Sequence, residues 1–249
     1  MDYSIHLSKT SGDPYHYASV YRRLIGKLQY LTNTRPDIAF AVDKLSQYVD
    51  FLTVEHHKVA LRILRYLKNA LATELFFPLT TDFKLTGFAD ADWATYLDTR
   101  QSVSGYCFFL GTTLVSWKSI EQQIVSWSSS EAEYCALANA TCEGLWLLRL
   151  LEVLGVTHND PFILYSDSQS ALHMAANSVL HERTKHIEAD CHIVQDKAHE
   201  GVLKLLPVTS ANQTADLLTK TLAPGPFSSC FSKLGLLDIH TPSLRGDIS

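Results

Sequence analysis

In Lys84-Leu85-Thr86-Gly87-Phe88-Ala89-Asp90-Ala91-Asp92-Trp93 a short apolar run meets a pair of acids. Leu85 to Ala89 reads as a short β-strand that ends in two acids separated by one residue. An acid at the end of a strand sits at the rim of a sheet, where a catalytic centre can collect groups from several elements. Glu133, Asp167 and Asp216 stand where they could meet it.

Downstream, Val103 to Leu110 reads as a second strand, rich in Tyr, Phe and Val. Gly111-Thr112 turns it into a third, Thr113 to Lys118, and Gln122 to Trp127 offers an extension of the sheet. Ser128, Ser129 and Ser130 supply N-caps for a long helix reaching Leu154. Ala136, Leu137, Ala140, Leu147, Leu151 and Leu154 give that helix its packing face, and Gly155 ends it. Phe162 to Ser166 is continuously apolar, as a central strand should be, and Asp167 follows it directly. Helices are expected over 168–177 and 185–199, a fifth strand over 202–208 and a last helix over 214–220. The order β-β-β-α-β-α-β-α predicts an α/β fold: a mixed five-stranded sheet with helices on both faces.

Upstream, the period is helical. After the turn signal Gly12-Asp13-Pro14, a helix should carry Tyr17, Val20, Leu24, Leu28 and Leu31 on one face. Pro36 fits the first turn of a second helix, whose stripe is Ile38, Val42, Leu45 and Val49. A third, from Val54 to Lys68, buries Val59, Ile63, Leu64 and Leu67. Its other side lines up Lys58, Arg62, Arg65 and Lys68, a stripe able to track a phosphate backbone. The expected organisation is a small helical unit over 1–80, the sheet domain over 81–222 and a tail over 223–249.

The charge distribution agrees with two jobs. Residues 1–80 hold ten Lys/Arg against seven Asp/Glu, and residues 81–249 hold eleven against nineteen. The acidic part suits a site that gathers carboxylates around divalent metal. The five cysteines are widely spaced with no Cys-x-x-Cys, which reads as thiols in a reducing compartment. No apolar run approaches the roughly 18–20 residues of a membrane span, and residues 1–6 lack the order of a secretory signal. The expected setting is intracellular, cytoplasmic and nuclear, without a membrane.

Metal-assisted phosphodiester cleavage needs carboxylates converging from different elements, so that two ions about 3.5–4 Å apart can be shared. Hard oxygen ligands suit Mg²⁺ or Mn²⁺. Asp90, Glu133, Asp167 and Asp216, placed at two neighbouring strand ends and two helix starts, can share one rim.

The element order and these acids resemble ribonuclease H. Several local motifs are similar to the ribonuclease H domains of Ty1/copia retrotransposon polyproteins. They are Phe88-Ala89-Asp90-Ala91-Asp92-Trp93, Ser104-Gly105-Tyr106, Ser129-Ser130-Glu131-Ala132-Glu133-Tyr134 and Tyr165-Ser166-Asp167-Ser168. His181-Glu182-Arg183-Thr184-Lys185-His186-Ile187 and Ala215-Asp216-Leu217-Leu218-Thr219-Lys220 complete the series. The resemblance extends to Tyr21–Gly26 and Thr34–Ala39, which look like the segment after a polymerase palm. Arg62–Lys68 looks like the thumb or connection before ribonuclease H.

The resemblance implies the C-terminal part of a Pol polyprotein and hydrolysis of the RNA strand of RNA–DNA hybrids with two Mg²⁺ or Mn²⁺ ions. Asp90 would bridge both ions, Glu133 and Asp167 would hold one, and Asp216 the other. The resemblance singles out Asp90 over Asp92 and Glu133 over Glu131; for the second pair helix geometry agrees that only one can point inward, because residues two apart on a helix face different sides. Lys58, Arg62, Arg65, Lys68 and Lys185 would grip the hybrid. Asn212 would bond the site or cap the last helix. Two departures stand out. The loop Pro207–Ala211 has no histidine, and Glu188-Ala189-Asp190-Cys191-His192 replaces a more basic stretch. Palm acids would precede Tyr21, so polymerisation would need a separate reverse transcriptase palm region. The rival reading is a catalytically idle nucleic-acid-binding remnant of a truncated element.

Overall fold

A computed structural model describes residues 7–79, 82–158, 160–177 and 188–238, the side chains of 188–191 excepted. The motif His181–Ile187, with Lys185, lies outside the described residues. The chain divides into two compact units, Met1–Phe77 with Thr221–Ser249, and Pro78–Lys220.

The first unit begins with helices α1 (Ala18–Leu31), α2 (Ala39–Ser46, preceded by a 3₁₀ turn at Pro36–Ile38) and α3 (Val54–Asn69). Their shared core includes Tyr21, Ile25, Leu28, Val42, Leu45, Val59 and Ile63. The buried face of α1 is Tyr21, Ile25 and Leu28, whereas Tyr17 and Val20 are exposed. Of the expected stripe, Leu28 is buried and Leu24 and Leu31 pack partly against the core, while Tyr17 and Val20 lie outside it. Both sets have helical spacing, but the Tyr21 hydroxyl donates to the Leu45 carbonyl at 2.9 Å and draws its own face inward. Leu64 on α3 is likewise exposed. Lys58, Arg62, Arg65 and Lys68 form an exposed row on α3, with Lys58 paired to Glu55 at 2.7 Å. Strand β1 (Thr73–Leu75) follows where a plain connection was expected.

The second unit holds β2 (Leu85–Asp92), β3 (Val103–Leu110), β4 (Thr113–Glu121), α4 (Ser129–Val153), β5 (Phe162–Ser166), α5 (Gln169–Ala176), α6 (Glu188–His199) and β6 (Leu203–Pro207). The sheet order is β4-β3-β2-β5-β6. The first three strands are antiparallel, and β5 and β6 are parallel to β2. This is the ribonuclease H-like mixed sheet. Gln122–Trp127 adds no strand, since β4 already ends at Glu121.

Register fixes what lies on each face. On β3, Tyr106 and Phe108 point toward α4, where the Tyr106 hydroxyl donates to Glu143 at 3.2 Å. The opposite face at Gly105 meets Leu218, the end of the short 3₁₀ helix Thr214–Leu218, and Thr219 just after it. The last helix expected from sequence is this one-turn 3₁₀ segment. α4 lies against β2, β3 and β5 with α5 and α6 beside it, around Leu85, Phe108, Leu137, Ala140, Phe162 and Leu164.

Gly144 lets α4 approach β5. A Cβ on Gly144 would sit 2.5 Å from the ring of Phe162, which is fully buried and packed on Phe108. Gly144→Ala is therefore expected to destabilise this unit by about 1–3 kcal/mol through overpacking. The urea midpoint followed by tryptophan fluorescence checks it, and an unchanged midpoint would contradict this packing.

The chain returns to the first unit with α7 (Pro224–Lys233) and β7 (Leu236–Asp238). β7 pairs antiparallel with β1, Glu74 opposite Leu237. The stretch expected as a tail is thus structured through Asp238, because its backbone completes a two-stranded ribbon that β1 could not form alone. Among the described residues, Cys107, Cys135, Cys142 and Cys230 form no disulfide, and no helix is long and apolar enough to cross a membrane.

Candidate active site

The site forms where two adjacent parallel strands part. β2 pairs with β5 only as far as Phe88 opposite Tyr165, but with β3 it continues to Asp92 opposite Val103. β2 therefore runs three residues past the expected end at Ala89, and Asp90 lies inside it. Seen from β5 it is still past the last rung, next to Asp167 at the end of Ser166. The carboxyl ends of parallel strands are where open α/β sheets collect ligand-binding groups.

Glu133 arrives from α4. Ala91 on β2 packs against Ala132 and Ala136, and these small side chains let the first turns of α4 lie close to the strand. Ser128 caps α4, its hydroxyl accepting the Glu131 N–H at 3.3 Å, and Glu131 Oε2 accepts the Trp127 N–H at 2.8 Å. Glu131 thus closes the helix end while Glu133 faces the cluster.

Asp90, Glu133 and Asp167 each offer a carboxylate oxygen within 4.8 Å of the others. Asp216 is not in that trio. It joins through Lys220, whose Nζ lies 2.8 Å from Asp216 Oδ1 and 3.3 Å from Asp90 Oδ2. The Thr219 hydroxyl donates to Asp90 Oδ2 in a very short hydrogen bond. Asp167 is fixed by two donors, Ser210 Oγ at 2.7 Å and Gln213 Nε2 at 3.4 Å.

Gln213 does the work expected of Asn212. It is buried, its Nε2 also donates to the Ala89 carbonyl at 2.9 Å, and its Oε1 accepts the Ala215 N–H at 3.2 Å. Ser210, Gln213, Thr219 and Lys220 escaped the search for acids. Thr219 and Lys220 stand in the motif Ala215–Lys220, but only the folded turn shows where they point. Lys58, Arg62, Arg65 and Lys68 belong to the other unit.

The electrostatics are those of acids crowded out of water. Burial pushes the Asp90 carboxyl up to about 7; the charges of Asp216 and Asp167 add to the rise, and Lys220 and Thr219 oppose it. Burial pushes Glu133 up to about 9, reinforced by the charges of Asp90 and Asp167. Asp216 also rises through burial, held back by Lys220. Burial alone would lower Lys220, but Asp90 and Asp216 overcome this and raise it. Buried Asp90 Oδ1 and Glu133 Oε2 have no hydrogen-bond partner. Buried acceptors left unpaired are costly, and a hard divalent cation is the partner that would satisfy several at once. The donor set therefore fits Mg²⁺ or Mn²⁺.

No family model matches the chain. It is 39% identical over 230 residues to the retrovirus-related Pol polyprotein from transposon RE1 of Arabidopsis thaliana, covering 92% of this chain and 16% of that protein. It is 37% identical over 217 residues to the corresponding polyprotein from transposon TNT 1-94 of Nicotiana tabacum, covering 87% of this chain and 16% of that one. Among solved structures, ribonuclease H1 from Halobacterium salinarum aligns with 55% of this chain and 94% of its own, at 19% identity and a TM-score of 0.36. The chain spans about one-sixth of the length of the two polyproteins. With matches of that identity along nearly its whole length, the chain belongs to the Pol polyproteins of copia-type retrotransposons, as one segment of them.

Proposed function

We propose that the unit Pro78–Lys220 is a ribonuclease H that hydrolyses the RNA strand of RNA–DNA hybrids with divalent metal. The convergence of Asp90, Glu133 and Asp167 within 4.8 Å carries this reading. Asp90, Glu133 and Asp167 would hold one ion, and Asp90 with Asp216 a second. Such ions supply positive charge against the phosphate oxygens and ease loss of a proton from water.

The chain's own residues set the geometry. Ser210 and Gln213 keep Asp167 in one rotamer, and Thr219 does the same for Asp90. A water oxygen attacks phosphorus in line with the departing 3′ oxygen. The P–O3′ bond breaks, the 3′ oxygen takes a proton, and the products carry a 3′-hydroxyl and a 5′-phosphate. Selectivity for RNA comes from contacts to 2′-hydroxyls across the shallow minor groove. A reverse transcriptase palm region, elsewhere in the polyprotein or on another chain, is the expected partner.

Purified protein with a labelled hybrid and Mg²⁺ or Mn²⁺ tests this. Cuts confined to the RNA strand, with 3′-hydroxyl ends, are expected. A protein that binds hybrid but never cuts it would instead be the idle binding module. The row Lys58, Arg62, Arg65 and Lys68 is proposed to contact phosphates. Changing all of these to alanine is expected to weaken hybrid binding and to flatten its log–log salt slope by roughly 0.7–0.9 per lost contact. An unchanged slope in a salt titration would remove the row from the interface.

A further inference from the structure

Lys220 sits among the acids rather than beside them, and the fold holds it there. The Thr219 and Lys220 N–H groups both point at the Asp216 carbonyl, at 3.3 and 3.1 Å, so the chain curls and brings the Lys220 and Asp216 side chains together. Gly105, directly opposite Asp90 in the ladder, makes room for this turn. A Cβ there would lie 2.6 Å from Thr219 Cγ2 and 2.9 Å from Leu218 Cβ.

The result is an asymmetric centre. Asp90 Oδ1 and Glu133 Oε2 have no hydrogen-bond partner, and Asp216 Oδ1 is met only by the Lys220 ammonium 2.8 Å away. Asp90 Oδ2 already takes the Thr219 hydroxyl and the Lys220 ammonium, and that ammonium also holds Asp216. One half offers open oxygens, and the other is filled by an internal cation. We propose that in the substrate-free protein Lys220 takes the place of a divalent ion between Asp90 and Asp216, so that this chain alone holds one ion and not two. The inference rests on the metal-centred reading above. Its consequence is a centre completed on demand. A second ion enters when Lys220 leaves, and the phosphates of a bound hybrid are the acceptors that would receive its ammonium.

Calorimetric titration of the metal-stripped chain with Mn²⁺, supported by electron paramagnetic resonance of the bound ion, tests this without measuring cleavage. Wild type and Lys220→Arg should each bind one ion. Lys220→Met should bind two, the second at least about tenfold more tightly than wild type accepts it. Asp216→Asn should still bind one, which keeps the test open should Lys220→Met fail to fold. Two ions in wild type, one ion in a folded Lys220→Met, or a fall from two to one in Asp216→Asn would overturn the inference and leave the metal-centred reading standing. No binding by any variant would overturn both.

Discussion

Asp90→Asn is expected to slow hybrid cleavage by about 10³-fold or more, because it removes the carboxylate on which the other acids converge. The substitution keeps the shape of the side chain. The Thr219 hydroxyl still finds an oxygen, and Lys220 keeps Asp216. What changes is charge: Asp90 is 1% exposed, and burial works against its ionised form. Removing one of several crowded, desolvated carboxylates relieves repulsion, so the melting temperature near pH 8 should hold steady or rise. That combination distinguishes a chemical role from a structural one, since a residue needed only for folding would lose both. Equal rates for wild type and Asp90→Asn at high enzyme concentration would end the assignment of Asp90. Glu133→Gln and Asp167→Asn should fall the same way, while Glu131→Gln should act mainly through the helix cap that Glu131 closes at Trp127.

Which parts of this centre could be read from sequence follows from how local their causes are. β3 over Val103–Leu110 and β5 over Phe162–Ser166 match the expected runs residue for residue, because an aromatic or apolar run between turn signals is a local property. Helix geometry showed that only one of Glu131 and Glu133 could face inward, and the family resemblance chose Glu133. β2 was expected to stop three residues early because the apolar run stops at Ala89. The strand continues only because β3 supplies partners as far as Val103. β1 and β7 were missed for the same reason: three residues each, joined across most of the sequence, with no alternation of their own. The supporting groups were the least visible. Gln213 reaches the Ala89 carbonyl and Lys220 reaches Asp90 only after the 3₁₀ turn is seated against Gly105. The acids are visible in the sequence, whereas the residues that hold them follow from packing.

The second large effect expected is a stability that falls as pH rises and is restored by metal. In the unfolded chain an aspartate and a glutamate titrate near about 4, whereas in the fold Asp90 is pushed up to about 7 and Glu133 up to about 9. Below the unfolded values both states are protonated and these groups contribute no difference. Above them the unfolded chain releases protons that the native state retains, so each further rise favours unfolding until the folded values are passed. One retained proton corresponds to about 1.4 kcal/mol per pH unit. Between about pH 6 and pH 8 the metal-free protein should therefore lose roughly 2–4 kcal/mol, or about 5–10 °C in melting temperature. All four tryptophans, Trp93, Trp117, Trp127 and Trp146, lie within Pro78–Lys220, so their fluorescence follows this unit alone. Mn²⁺ or Mg²⁺ added near pH 8 should recover most of the loss, because ions that bind only the native state stabilise it by mass action. The decisive comparison is with Glu133→Gln. That variant lacks the most strongly perturbed acid and should show a visibly shallower pH slope with less response to metal. The same slope in both proteins, or a melting temperature indifferent to metal at every pH, would mean that these carboxylates are not the groups coupling the fold to protons and cations.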